Sequence, residues 1–189
     1  MDAALRVAAV HGYGGTTVKN ISEESGLPAS SLYWHFGDKE RLLAAALERG
    51  FALWGQGLAH GESLPPELEV AVRERFRRGV RAVVDNPAAW RLGLVLSLQA
   101  PGEEARARQA FVDVHRRAVD ALAGWWLGLL PEEIADPALA HRLSASFLAL
   151  LDGLFVASSS TDDWDLDALA DRFARGLVAH VRRLQREAS

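Results

Sequence analysis

The chain has 189 residues, 49% hydrophobic and 24% charged, which is room for one or two small domains around a well-buried core. Its 25 acidic side chains outnumber 21 basic ones, and a net charge of −4 excludes a protein that coats nucleic acid by charge alone. Cysteine is absent, which excludes disulfides and thiolate metal sites. With no signal peptide and no apolar run of eighteen residues in the sequence, the cytoplasm is the expected compartment and no membrane partner is expected.

Residues 2–11 read as a first helix with Leu5, Ala8, Ala9 and Val10 inward, and Gly12-Tyr13-Gly14-Gly15 as the turn after it. Thr17 is an N-cap for a short helix over 18–25, in which Val18 and Ile21 stand at helical spacing. Gly26 ends that helix because glycine takes the left-handed conformation of a tight stop. Leu27-Pro28 then supplies an apolar plug and a fixed φ for the next start. Two helices joined by so short a turn are a helix-turn-helix layout. In the second, Leu32 and Phe36 point inward at i and i+4, leaving Ala29, Ser30 and Tyr33 outward, with Ser31, Trp34 and His35 at the edges. That face offers small residues for close approach, hydroxyls for base edges or phosphates, and flat rings to lie along a sugar-phosphate strand. Asp38 caps the following helix, whose first free amides form an anion site with Lys39.

Gly12-Tyr13, Thr17-Val18, Ile21, Gly26-Leu27, Ser31-Leu32-Tyr33-Trp34-His35-Phe36 and Lys39-Glu40-Arg41-Leu42-Leu43, all in register, resemble the tetracycline-repressor (TetR) family of bacterial regulators. The resemblance implies an all-α protein of about nine helices. An N-terminal three-helix helix-turn-helix DNA-binding domain would cover 1–45, and a helical ligand-binding and dimerisation domain 46–189. It implies that Thr17 and Lys19 reach phosphates, that Pro28, Ala29, Ser30 and Ser31 meet base edges, and that Tyr33, His35 and Lys39 bond the backbone, with Trp34 on the same surface. The partners implied are a double-stranded DNA operator, a second copy in a homodimer and a small-molecule effector, with no cofactor. The chain departs from the family where Ala29 replaces a frequent lysine or arginine, and where Ser22 and Ser25 replace alanine. The family usually has another turn and a basic arm before the position of Asp2, so a trimmed or late start is expected. Residues 1–50 carry Arg6, Lys19, Lys39, Arg41 and Arg49 against Asp2, Glu23, Glu24, Asp38, Glu40 and Glu48, so weak non-specific binding and a shallow salt slope are expected.

The fourth helix is apolar at Leu42, Leu43, Ala46, Leu47, Phe51 and Trp54 and so belongs to both halves; the break is expected at Gly55, Gly57, Gly61 and Pro65-Pro66. The next helix starts at Pro66 and buries Leu68, Val72, Phe76, Val80, Val83 and Val84. Its basic run Arg73, Arg75, Arg77, Arg78 and Arg81 reads as a solvated face. Helix 88–99, with Trp90, Leu94, Leu96 and Leu98, is nearly uncharged and must be mostly buried; Pro101-Gly102 ends it. A long helix over 103–129 is apolar at Phe111, Val114, Ala118, Leu122, Trp125 and Leu129, and Pro131 closes it. After Asp136-Pro137 a helix carries two apolar faces, Leu139, Leu143, Phe147, Leu150, Leu154 and Leu148, Leu151, Phe155; a polar loop over 158–165 follows. The last helix, 166–186, repeats the theme at Leu169, Phe173, Leu177, Val181 and Leu184. These two helices look like the family's dimerisation pair, with Leu150, Gly153, Leu154, Phe173, Leu177 and Val181 at the interface. Gly153 either lets two helices approach closely or is a tolerated glycine.

Trp54, Phe76, Trp90, Leu94, Phe111, His115, Trp125, Phe147 and Leu151 are each ordinary core residues taken singly. Together, with Gln99, His115, His141 and Asp152 among them, they read as an apolar pocket with sparse polar contacts for a flat or lipophilic ligand. His115 and His141 lack a second ligand at i+4, so no metal is expected. No Gly-x-Ser-x-Gly, His-Glu-x-x-His or phosphate-binding glycine loop occurs, so no enzyme is expected. The reading is a transcriptional repressor that binds a palindromic operator as a dimer and is released by a small lipophilic or aromatic effector. The alternative is a helical small-molecule-binding protein of the same fold with lost or weak DNA binding.

Overall fold

A computed structural model describes residues 1–59, 67–98, 105–159 and 165–188. The expected breaks at Gly61, Pro65-Pro66 and Pro101-Gly102, the position of Gln99 and most of the 158–165 loop lie outside the described residues. Among those described are nine α-helices, a 3-10 turn and no strand. The helices are α1 (Asp2–Gly15), α2 (Val18–Ser25), α3 (Ala29–Phe36), α4 (Lys39–Ala59), α5 (Leu68–Asp85), α6 (Pro87–Leu98), α7 (Ala105–Leu129), α8 (Pro137–Ser158) and α9 (Leu166–Ala188); the 3-10 turn, Glu132–Ile134, was not anticipated. They pack as two compact units, Met1–Gly55 with Asn86–His115, and Gln56–Asp85 with Arg116–Ser189. Packing thus divides the chain differently from the sequence cut at 45/46, because α6 and the first part of α7 join the first four helices.

In the first unit α1 packs on α6 and α2, burying Ala3, Ala4, Leu5, Val7 and Ala8. Val10, expected inward, is exposed. The expected turn at 12–15 is a kink inside α1: Gly12 takes φ 66°, ψ 177°, and the helix resumes to Gly15 with Tyr13 buried. A left-handed φ costs glycine little, so the chain can bend there and send the Tyr13 ring into the core. Helix α4 continues through Gly55 and Gly57 to Ala59, past the break expected there. It approaches α6 at Gly50, where an added Cβ would run into the Cβ of Ala89. Around that contact Phe51 stacks on Trp90 at 5.0 Å, Trp54 tilts onto Trp90 at 5.3 Å, and Phe111 meets Phe51 edge-on at 5.6 Å.

In the second unit α5 packs on α8 and α9. The rings of Phe76 and Phe147 lie 4.2 Å apart, and Gly79 leaves the space that Leu151 fills. Helix α9 turns Ala170, Ala174, Val178 and Val181 inward, so of the apolar stripe expected to be buried only Val181 is; Leu169, Phe173, Leu177 and Leu184 are half-buried. Small side chains win because they let α9 approach α5 closely. Two further expectations change. The basic run of α5 is not a solvated face: Arg77 and Arg73 pair with Asp171 of α9 at 3.2 and 3.9 Å, Arg78 with Glu74 at 3.0 Å, and only Arg81 is exposed. Helix α8 is, by length and composition, apolar enough to cross a membrane, although no such run was expected; Leu143, Phe147, Leu148 and Leu151 are buried as in a core helix.

Gly50→Ala should destabilise the protein by about 1–3 kcal/mol in denaturant unfolding, since α4 and α6 must part to admit the methyl group. Gly124→Ala, whose Cβ meets open space on α7, should instead stabilise by about 0.5–1 kcal/mol.

Candidate nucleic-acid interface

Helix α2 begins at Thr17, whose Oγ1 accepts from the Asn20 amide at 3.1 Å and lies 2.6 Å from Asn20 Oδ1, to which it donates. Val18 and Ile21 are buried, and Gly26 ends the helix at φ 69°. The two serines that replace alanine brace this turn. Ser22 Oγ donates to the Leu27 carbonyl at 2.5 Å, and Ser25 Oγ accepts from the Leu27 amide at 3.3 Å. Pro28 caps α3, its carbonyl accepting from the amides of Ser31 and Leu32 at 3.0 and 3.3 Å. Leu32 is the buried anchor of α3 and Phe36 is half-buried. Ser30, Ser31, Tyr33, Trp34 and His35 are exposed, Trp34 to 87%, while Ala29 is half-buried. Gly37 stops the helix at φ 82° with its amide on the Tyr33 carbonyl at 2.8 Å.

Asp38 then caps α4, accepting from the Arg41 amide at 2.7 Å, and Arg106 at the start of α7 reaches its other oxygen at 3.5 Å. Lys39 is half-buried: Nζ donates to the Tyr13 carbonyl at 3.2 Å and sits 4.2 Å above the Tyr13 ring. That pins α4 to the end of α1 and leaves part of the ammonium's three donors for an anion. Lys19 is exposed, 3.9 Å from Glu23 one turn on. Beside α3 an open groove of about 750 Å³ is lined by Met1, Leu27, Ser30, Ser31, Trp34 and His35 among others. The arrangement presents hydroxyls, rings and helix-start amides on one surface and few free cations, which suits positioning on a polyanion more than holding it by charge.

The residues expected to bind a ligand are divided between the units. Trp54, Trp90 and Phe111 are buried together in the first, with His115 5.8 Å from Phe111 and Leu94 half-buried. Phe76, Phe147 and Leu151 are buried in the second. Trp125 is half-buried there, 4.9 Å from Trp126. The indole Nε1 groups of Trp90 and Trp126 are buried without an acceptor. His141 is exposed against Asp120 at 2.9 Å, and no described cluster of three or more His, Asp or Glu would hold a metal. Of the expected dimer residues, Leu154 and Val181 are covered within the subunit, whereas Leu150, Phe173 and Leu177 are half-buried and Gly153 is exposed. Sequence reasoning missed the Ser22 and Ser25 braces and the Arg106 tie; the serines at the turn were a readable signal, the arginine was not.

Residues 1–46 match the sequence pattern of "Bacterial regulatory proteins, tetR family". YezE of Bacillus subtilis, an uncharacterized HTH-type transcriptional regulator, is 30% identical over 181 residues, 90% of this chain and 89% of YezE. The chain belongs to the TetR family. A second relative, the HTH-type transcriptional repressor AcnR of Corynebacterium efficiens, is 42% identical over 45 residues, 24% of this chain and 24% of AcnR. The fold is shared with FadR of Bacillus subtilis, solved in complex with stearoyl-CoA, at a TM-score of 0.68, 18% identity and 94% and 95% coverage of the two chains. In this TetR chain α3 exposes Ser30, Ser31, Tyr33, Trp34 and His35.

Asp38→Ala should cost about 1 kcal/mol of stability in urea unfolding through loss of the α4 cap, a larger effect than removing an exposed ion pair such as Lys19 with Glu23.

Proposed function

We propose that this TetR-family chain is a cytoplasmic, effector-released transcriptional repressor that binds a palindromic operator as a homodimer. The observation that carries the reading is α3. It is an eight-residue helix held by Leu32 and capped at both ends, with Ser30, Ser31, Tyr33, Trp34 and His35 exposed. Met1, Leu27 and Trp34, all exposed, line one groove beside this helix, and such a grouped apolar patch is the kind that marks an interaction surface. Pro28, Ala29, Ser30 and Ser31 would meet base edges, and Thr17, Lys19, Tyr33, His35 and Lys39 the phosphates, making 1–45 the reading head. Two heads would dock in successive major grooves about 34–36 Å apart.

Residues 46–189 would bind the effector and the second subunit. Leu150, Gly153, Phe173 and Leu177 remain on the accessible side of α8 and α9, which supports a bundle with the same helices of a partner. The aromatic content of both units, and the likeness in fold to an acyl-CoA-bound FadR, support an effector with a lipophilic body. To empty an operator nearly completely, the effector must favour the non-binding arrangement by about 5 kcal/mol, near 10⁴-fold. The family's members are regulators, and no catalytic role is proposed.

Selection of random duplex DNA by the purified protein should enrich an inverted repeat, and Tyr33→Ala should weaken its binding at least tenfold, about 1.4 kcal/mol, without loss of the dimer. The affinity should fall only shallowly with salt, because few phosphates are neutralised per subunit. A folded dimer that enriches nothing would sink the repressor reading in favour of a ligand-binding protein without an operator.

A further inference from the structure

Helix α5 turns Arg73 and Arg77 toward Asp171 of α9, and Arg75 toward Leu58 and Trp125. Arg75 stands at i+4 from Ala71, i−4 from Gly79 and i−7 from Ala82, so it lies on the stripe that these three small buried residues mark as the inner face. The small neighbours leave room for a long side chain. Their bulk does not explain why that side chain is a cation.

Its arginine neighbours are compensated. Arg73 and Arg77 share Asp171, and Arg78 has Glu74. Arg75 has no carboxylate among the described residues. Its Nη1 donates to the Leu58 carbonyl at 3.1 Å and its guanidinium lies 4.7 Å from the centre of the Trp125 ring; its Nε, like those of Arg73 and Arg77, is buried without an acceptor. Burial, with the like charge of Arg78 adding to it, pulls the Arg75 pKa below the usual arginine value. A cation taken partly out of water and met only by a carbonyl and a ring is an incomplete ion pair. The chain carries more acids than bases, yet none of those described is spent here. The next indole along α7 points the same way, since Trp126 Nε1 is a second buried donor with no acceptor, on a ring 4.9 Å from that of Trp125.

We propose that Arg75 anchors the anionic head group, a carboxylate or a phosphate, of an amphipathic effector, with Trp125 as the flat surface beside it. The inference rests on the effector reading above and specifies its chemistry. A guanidinium stacked on an indole keeps its edge free, and that edge presents parallel N–H donors at the spacing of two carboxylate or phosphate oxygens. Both Arg75 and Trp125 are half-buried, so a ligand can reach them from one side. Leu58 lies in the last turn of α4, whose carbonyls lack partners within the helix. An anion competes for the guanidinium that now holds that carbonyl, and charge-assisted bonds are roughly twice as strong as neutral ones. Occupation of the site therefore loosens the end of the helix whose beginning carries Asp38 and Lys39.

The test is calorimetric titration of the full chain with dodecanoate, dodecyl phosphate and dodecanol, below their micelle concentrations, for the wild type, Arg75→Gln, Arg75→Lys and the exposed control Arg81→Gln. The wild type should bind at least one of the two anions ten or more times more tightly than the alcohol, and which anion wins names the head group. Arg75→Gln should bring that anion down to the level of dodecanol while leaving dodecanol unchanged, and Arg81→Gln should behave as the wild type. Anions no tighter than the alcohol in the wild type, or a preference that survives Arg75→Gln, overturn the Arg75 site and leave the lipophilic-effector reading standing. No binding of any of the three overturns both. Should Arg75→Gln fail to fold by circular dichroism, Arg75→Lys decides. An anion preference reduced threefold or more supports the planar fork, and an unchanged one overturns it.

Discussion

Eight residues are too few for a helix to stand alone in water, and α3 has only Leu32 fully buried. Its geometry therefore comes from its ends. Pro28 sets the start, Gly37 the stop, and the α2–α3 turn is tied by Ser22 and Ser25 to Leu27. The following helix is fixed in turn by the Asp38 cap and by Lys39 on the Tyr13 carbonyl and ring, which is where the kink at Gly12 becomes useful. Holding a helix by its termini leaves its outer side chains free of structural duty. That is what a surface for reading DNA requires.

Charge is distributed by the same economy. Arg6 pairs with Glu24 and Arg49 with Asp2, and Lys39 is largely committed inside the unit, so the head keeps little unpaired positive charge. In the proposed repressor, recognition rests on hydroxyls, rings and amides, whose bonds depend on geometry and fall steeply when misaligned. In the second unit the acids are placed so that Asp171 and Glu74 answer three of the five α5 arginines; of the other two, Arg81 is exposed and Arg75 is half-buried with no carboxylate among the described residues. A chain that compensates its buried charges elsewhere makes the uncompensated one informative.

Close approach of helices recurs in both units through absent side chains. Gly50 meets Ala89, Gly93 meets Phe111, and Gly79 meets Leu151, while α9 reaches α5 with alanines. These contacts explain why the larger apolar residues of α9 were displaced from the core: an inward Phe173 or Leu177 would hold the two helices apart. Leu150, Phe173 and Leu177 are left half-covered as a result.

The sequence by itself determined most of the helices, though not the kink at Gly12, the run of α4 past Gly57 or the 3-10 turn, because periodicity, the Thr17 and Asp38 caps and the glycine stops are local physics that each segment carries with it. It also carried the motif that marks the TetR family, which lies within one short stretch. Only the tertiary structure decided which stripe of α9 turns inward, that Arg77 of α5 finds a carboxylate 94 residues away in the chain, and how the aromatics divide between two units. A helical wheel gives a face but not its neighbour. Whether a charge is solvated, paired or left without a counter-charge depends on what the neighbouring helix brings to it.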